Sequence, residues 1–113
     1  MDKSIFSESQ LLQINIGEKH GLTPKQIKMY AQPHFKVEQM EKIRWGLEQG
    51  HPIEKIRIYA VPNYNGDQMK IILWAIESRF TDDEVQTIAN SNLNVDEMFE
   101  IYEVISRKHS LNT

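Results

Sequence analysis

Four histidines, His20, His34, His51 and His109, and sixteen carboxylates are the side chains of this 113-residue chain with the most scope for proton transfer or metal binding. There is no cysteine, which excludes thiol nucleophiles, disulfides and cysteine metal sites and fits a reducing cytosol. The histidines fall at turns or in the tail, and none makes the i, i+4 pair or the carboxylate spacing of a metal-binding helix. Asp82, Asp83 and Glu84 follow Thr81 where a helix would begin, and negative charge there answers the helix dipole without catalysis. Glycine-rich phosphate loops and Gly-x-Ser-x-Gly turns are absent. The sequence offers no catalytic residues, no metal site and no cofactor, and the protein is expected not to be an enzyme.

The elements that would position these residues follow from an internal repeat. YAQPHF at 30–35 returns as YAVPNY at 59–64, and sliding the chain by 29 residues extends the match to four copies. Phe6, Phe35, Tyr64 and Leu93 fall in register, as do Gln10, Gln39, Gln68 and Glu97, then Leu11, Met40, Met69 and Met98, then Ile14, Ile43, Ile72 and Ile101. A period of this size marks stacked supersecondary units, none able to bury its apolar face alone.

Ser7, Asn65 and Asn94 are good N-caps, and Gln10, Gln68 and Glu97 three places on complete capping boxes; Lys36 makes the second copy weaker. Thr23 with Gln26 and Thr81 with Glu84 open shorter helices in the same way. Gly21 and Gly50 end the first two long helices, and Pro33 and Pro62 stop the first two short ones. The expectation is an all-α fold of seven helices, long ones near 7–19, 36–49, 65–78 and 94–107 alternating with short ones near 24–31, 53–60 and 82–89. They form one domain over residues 1–113, a solenoid-like αα array of three and a half repeats: 6–34, 35–63, 64–92 and the half repeat 93–107.

Within that array the copies differ where the ends of a stack should differ. Glu18 replaces the apolar residue found at Leu47, Ile76 and Ile105, and Glu103 replaces Ile16, Trp45 and Trp74, so both tips are expected to be polar. Trp45 and Trp74, about 140° round the helix from Met40 and Met69, are read as packing between adjacent repeats rather than as an exposed ladder.

Three surfaces could act on a partner. On the short helices Met29 and Ile58 lie nearly opposite the inward residues, and with Lys25, Lys28, Lys55 and Arg57 they would make an apolar strip with a basic rim, the expected partner-binding site. Asp82, Asp83, Glu84, Asp96 and Glu100 make an acidic face at the other end: residues 1–62 carry a balance of +2 and residues 63–113 one of −5. Lys25, Lys28, Lys36, Lys42, Arg44, Lys55 and Arg57 crowd the first two repeats, and GLTPKQIKMYA resembles the opening helix of a helix-turn-helix, but Glu38, Glu41, Glu48 and Glu54 break up the positive field that phosphate binding needs.

The longest apolar run, Ile71–Ile76, is too short to span a bilayer, and MDKSIFSESQ lacks a secretory layout, so a cytoplasmic protein without membrane contact is expected. The pattern Tyr-Ala-x-Pro-x-aromatic, Gln-Met, Ile-Arg-x-Gly-Leu-Glu-x-Gly across residues 30–50 resembles short helical repeats in uncharacterised proteins of phages and conjugative elements of Gram-positive bacteria. That resemblance implies a mobile-element origin and a small accessory protein; Gln32, Val61 and Val37 depart from its usual residues. The leading expectation is a non-enzymatic protein-interaction module, monomeric unless it dimerises through the apolar strip. The alternatives are nucleic-acid binding through the basic half and an acidic inhibitor of a host nuclease.

Overall fold

The computed structural model describes residues 2–111, leaving Met1, Asn112 and Thr113 outside the description. Among the described residues it is all-helical, with seven α-helices and no strand: α1 (Glu8–Lys19), α2 (Pro24–Tyr30), α3 (Val37–Glu48), α4 (Ile53–Ile56), α5 (Gly66–Glu77), α6 (Asp82–Ile88) and α7 (Val95–Leu111), preceded by a 3-10 turn at Lys3–Ile5. No helix in that range is long and apolar enough to cross a membrane. The long helices pack in serial order, α1 on α3, α3 on α5 and α5 on α7. α2 lies against both α1 and α3, α6 against both α5 and α7, and α4 against α3. The outcome is a slab measuring 49 × 27 × 17 Å, with a radius of gyration of 14.8 Å, somewhat above the ~13 Å of a sphere-like chain of this length.

Each long helix starts as its sequence dictates. Ser7, Asn65 and Asn94 accept from the backbone N–H of Gln10, Gln68 and Glu97, whose side chains in return accept from the cap N–H. Lysine has no acceptor, so at Lys36 only the second half forms, from its N–H to Gln39 Oε1 at 2.8 Å. The same glutamines do something the cap does not require. Their free Nε2 groups donate forward about one period, Gln10 to the Phe35 carbonyl (2.9 Å), Gln39 to Tyr64 (2.6 Å) and Gln68 to Leu93 (2.8 Å). Glu97, which has no donor to offer, stands in the last copy.

A second contact recurs with the same spacing. Tyr30 Oη donates to the Gln13 carbonyl at 2.8 Å and Tyr59 Oη to that of Lys42 at 2.7 Å. Burial pushes both phenols well above the usual tyrosine range, so they stay protonated donors. These rings reach the backbone because Gly17 and Gly46 lie beneath them: a Cβ there would stand 2.0 Å and 2.4 Å from the two hydroxyls. In the third copy the pair is Ala75 with Ile88, both buried. Around these contacts the repeated residues Ile14, Met40, Ile43, Met69, Ile72 and Met98 are fully buried, each contributing about 1.5–3 kcal/mol of transfer free energy.

Two elements differ from expectation. α4 ends at Ile56 rather than residue 60, and the N–H groups of Ile58 and Tyr59 then bond three residues back, at 3.2 and 3.1 Å. Pro52 has no capping side chain, so α4 lacks the box that opens α2 and α6. α7 continues to Leu111 instead of 107. The chain turns after α1 and α3 at Gly21 and Gly50, with φ of 88° and 86°, and after α5 at Arg79, with φ of 62°; a non-glycine residue holds that left-handed conformation at a cost of roughly 1 kcal/mol. The same register in α7 is Lys108, which remains helical.

Two outcomes test this account. Gln39→Glu keeps the cap but sets a carboxylate against carbonyl oxygens, so it should lower stability by about 2–3 kcal/mol at neutral pH. The introduced carboxyl has a raised folded-state pKa, so the deficit is full above that value and shrinks as pH falls through it; urea titrations at neutral and acidic pH measure both. Gly46→Ala should cost about 1–3 kcal/mol by overpacking, and combining it with Tyr59→Ile, the pairing of the third copy, should cost less than the two single changes added together in a double-mutant cycle.

Candidate protein interface

The structure redistributes the predicted surface residues. Met29 and Ile58 do not stand outward: both are half-buried and pack on the core. The reason is the nesting of α2 between two long helices and the tightening of the chain after Ile56, which turn both flanks inward. Lys25, Lys28 and Arg57 are exposed, while Lys55 is half-buried and its Nζ lies 2.6 Å from Asp82 Oδ1. The strip is also divided, since Lys28 borders a cleft with Glu18, Leu22 and Pro24, and Ile58 with Lys55 borders another with Pro52, Glu54 and Asp82.

The acidic face divides as well. Asp96 lies in a hollow with Asp67, Lys70, Trp74 and Phe99. Asp83, Glu84 and Glu100 come together elsewhere, on the rims of an open groove of about 490 Å³ between α6 and α7. Its floor is Ile101, Val104 and Ile105, Thr87 continues one rim and Lys108 closes an end. Val104 is 62% exposed and lies between two other aliphatic residues, so the floor is a contiguous apolar patch. Asp83 and Glu100 have no ion-pair partner among the described residues. Glu84 is held by His109 Nε2 at 2.8 Å, and its carboxyl lies below the usual range, chiefly because it accepts from the Thr81 N–H and then from His109. His109 also packs on Phe80, with the rings tilted and their centroids 5.0 Å apart.

The two edges of the slab therefore differ, and only one is dressed as the sequence implied. On α1, Glu18 is exposed and bonded to Lys3 at 3.1 Å. On α7, Glu103 is half-buried and lies 4.0 Å from Arg107; in the same register Trp45 is 37% exposed, under the Lys42 ammonium at 4.5 Å. Trp74 is half-buried against Tyr102 and lies 5.0 Å from the Lys70 ammonium. Trp74 thus packs between α5 and α7, as expected, whereas Trp45 lies on an exposed face. Among the residues facing outward from α7, Val104 is apolar and lies between the charged Glu100 and Lys108.

Ile101, Val104, Ile105 and Lys108 are the residues that sequence reasoning missed. A signal was present: Val104 occupies the register of Gly17, Gly46 and Ala75, a position that is buried in all three earlier copies. The remaining histidines serve local structure. His20 Nδ1 lies 2.6 Å from Glu48 Oε2, and Arg44, itself buried, bridges Glu48 Oε1 at 2.6 Å and Gln13 Oε1 at 3.0 Å. His51 stands in the register of Leu22 and Phe80, with its Nε2 buried and without a hydrogen-bond partner.

No family model matches the chain, and no curated protein or solved structure is significantly similar to it.

Burial separates the old site from the new. Ile58→Asp should lower stability by about 1–3 kcal/mol, because the carboxylate would be set into a packed position. Val104→Lys should change it by under about 0.5 kcal/mol, since the site is open and Glu100 lies four residues before it; chemical denaturation of the two variants makes the comparison.

Proposed function

We propose that this chain is a non-enzymatic protein-interaction module, a solenoid-like array of three and a half 29-residue units that works as a small accessory protein and presents the open face of its last helix to a partner. Serial packing of the long helices, the forward glutamine bonds at one-period spacing and the recurrent tyrosine contact support the array. The observation that carries the functional reading is the α6–α7 groove: an aliphatic floor open to water and rimmed by carboxylates, with Val104 exposed in a register that is buried in the three earlier copies. Interfaces combine an apolar centre with a polar rim in this way.

The nucleic-acid alternative loses support from the pairing of its bases. Arg44 is buried and tied to Glu48, Lys55 is tied to Asp82, and Lys42 lies between Glu41 and the Trp45 ring. The acidic rim does favour one variant of the interaction reading, a partner whose own surface is basic, of which a host nuclease with a nucleic-acid groove is one example.

Affinity capture from the native host with wild-type and Val104→Lys baits tests the proposal. A partner retained by the first and lost from the second, with both baits equally folded, is the expected result. Fluorescence anisotropy with labelled duplex DNA supplies the counter-test: tight binding with a steep salt dependence would overturn the reading in favour of phosphate contacts.

A further inference from the structure

The groove on α7 is the fourth member of a series whose first three members the chain fills itself. Ile27 and Tyr30 of α2 stand over Gly17, and Ile56 and Tyr59 stand over Gly46, each pair within 3 Å of where a Cβ would be. One period later the corresponding short-helix residues, Val85 and Ile88, are buried and Ala75 holds the glycine register. Val104 is next in that register and nothing among the described residues covers it as the short helices cover the earlier ones. Among the described residues α1, α3 and α5 stop after 12 residues and are each followed by a short helix, whereas α7 runs straight for 17, to Leu111.

We propose that this groove is the seat of a short amphipathic helix from a partner protein. Such a helix would bear a branched aliphatic residue, a small residue three places later, and lysine or arginine on its flanks. The inference rests on the stacked-unit reading and deepens it by naming the occupant.

Shape defines the apolar part. The floor grows along the series from Gly17 and Gly46 to Ala75 and Val104, while the second anchor shrinks from Tyr30 and Tyr59 to Ile88. A close-packed joint conserves the summed volume of facing side chains, so a valine floor leaves room for alanine or valine and none for tyrosine. The first anchor is Ile27, Ile56 or Val85 in the filled seats, always a branched aliphatic. A second copy of this chain is a poor occupant, because its own short helices carry Tyr30, Tyr59 or Ile88 as the second anchor and bury them internally.

Charge defines the flanks. Asp83 and Glu100 face the groove from opposite rims without ion-pair partners, Glu84 stands beside them, and Lys108 is the sole cation in the lining. Between the filled seats, Lys55 of one short helix reaches Asp82 in the first turn of the next. Glu84 holds the register of Lys55, so the sign at this joint is reversed and the incoming first turn would carry a cation in place of the aspartate. That cation would compete with His109 for Glu84.

The test uses acetylated, lactam-bridged helices of about twelve residues, with valine as first anchor, lysines on the flanks, and alanine, isoleucine or tyrosine as the second anchor. Titrated against the full chain by anisotropy, the alanine peptide should bind about tenfold more tightly than the tyrosine peptide, and Val104→Gly should reverse that order. Exchanging the flanking lysines for glutamates, or introducing Asp83→Lys with Glu100→Lys, should weaken binding by about tenfold at low salt. Equal affinity for the three anchors, undiminished binding to Val104→Lys, or no binding by any peptide would overturn the inference. So would concentration-dependent self-association that Val104→Lys abolishes, since it would give the seat to a second copy. A captured partner that depends on Val104 but ignores the peptides would sink the helix seat alone, while a partner captured equally by the Val104→Lys bait would sink the module's working face as well.

Discussion

One carboxamide, repeated at Gln10, Gln39 and Gln68, does two jobs that no other uncharged side chain of its length could combine. Its oxygen accepts the N–H of the helix cap and its nitrogen donates across to a carbonyl 25 residues on. Because Gln39 and Gln68 are buried, water cannot replace either bond, and a missing partner would be paid in full desolvation. Local helix initiation and the joining of successive segments are thereby made one condition. Glu97 keeps half of the condition: it accepts from the Asn94 N–H and completes the capping box, and a carboxylate has no proton to donate onward.

The second constraint is steric and couples facing residues across the helix joints. Gly17 and Gly46 are tolerated mid-helix, despite a propensity cost of roughly 1 kcal/mol each, because only a missing Cβ admits a tyrosine ring close enough to bond the helix backbone. Where the ring becomes Ile88, the floor becomes Ala75 and helix propensity is regained. Such matched exchanges inside one chain keep the joint dense while its chemistry varies. Arg79 is a local departure of the opposite kind, holding a left-handed turn that Gly21 and Gly50 hold without strain.

Electrostatics separates the two edges. On the α1 side Lys3 pairs with Glu18 in an exposed ion pair. On the α7 side the carboxylates gather round an uncovered aliphatic floor, and His109 engages only one of them. The basic first half, by contrast, spends Arg44 and Lys55 internally, on Glu48 and Asp82. Charge counted along the chain placed the imbalance correctly, but pairing decided which charges remain without an ion-pair partner among the described residues.

Helix content, the positions of the caps and most of the core were legible in the amino acids, because capping boxes, glycine turns and the i, i+3, i+7 stripe are local and recur every 29 residues. So was the acidic bias of the last third. The fates of Met29, Ile58, Trp45 and Glu103 were not, because helical angle gives direction and not cover: whether a neighbour lies in that direction depends on which helices flank it. The α7 groove was hidden for the same reason. Val104 reads as one more residue in a buried register, and only the packing shows that, with α7 straight past Lys108, none of the described residues covers it. Side-chain type and spacing determine which surfaces must be buried against something; tertiary packing decides which of them the chain buries itself and which it leaves open.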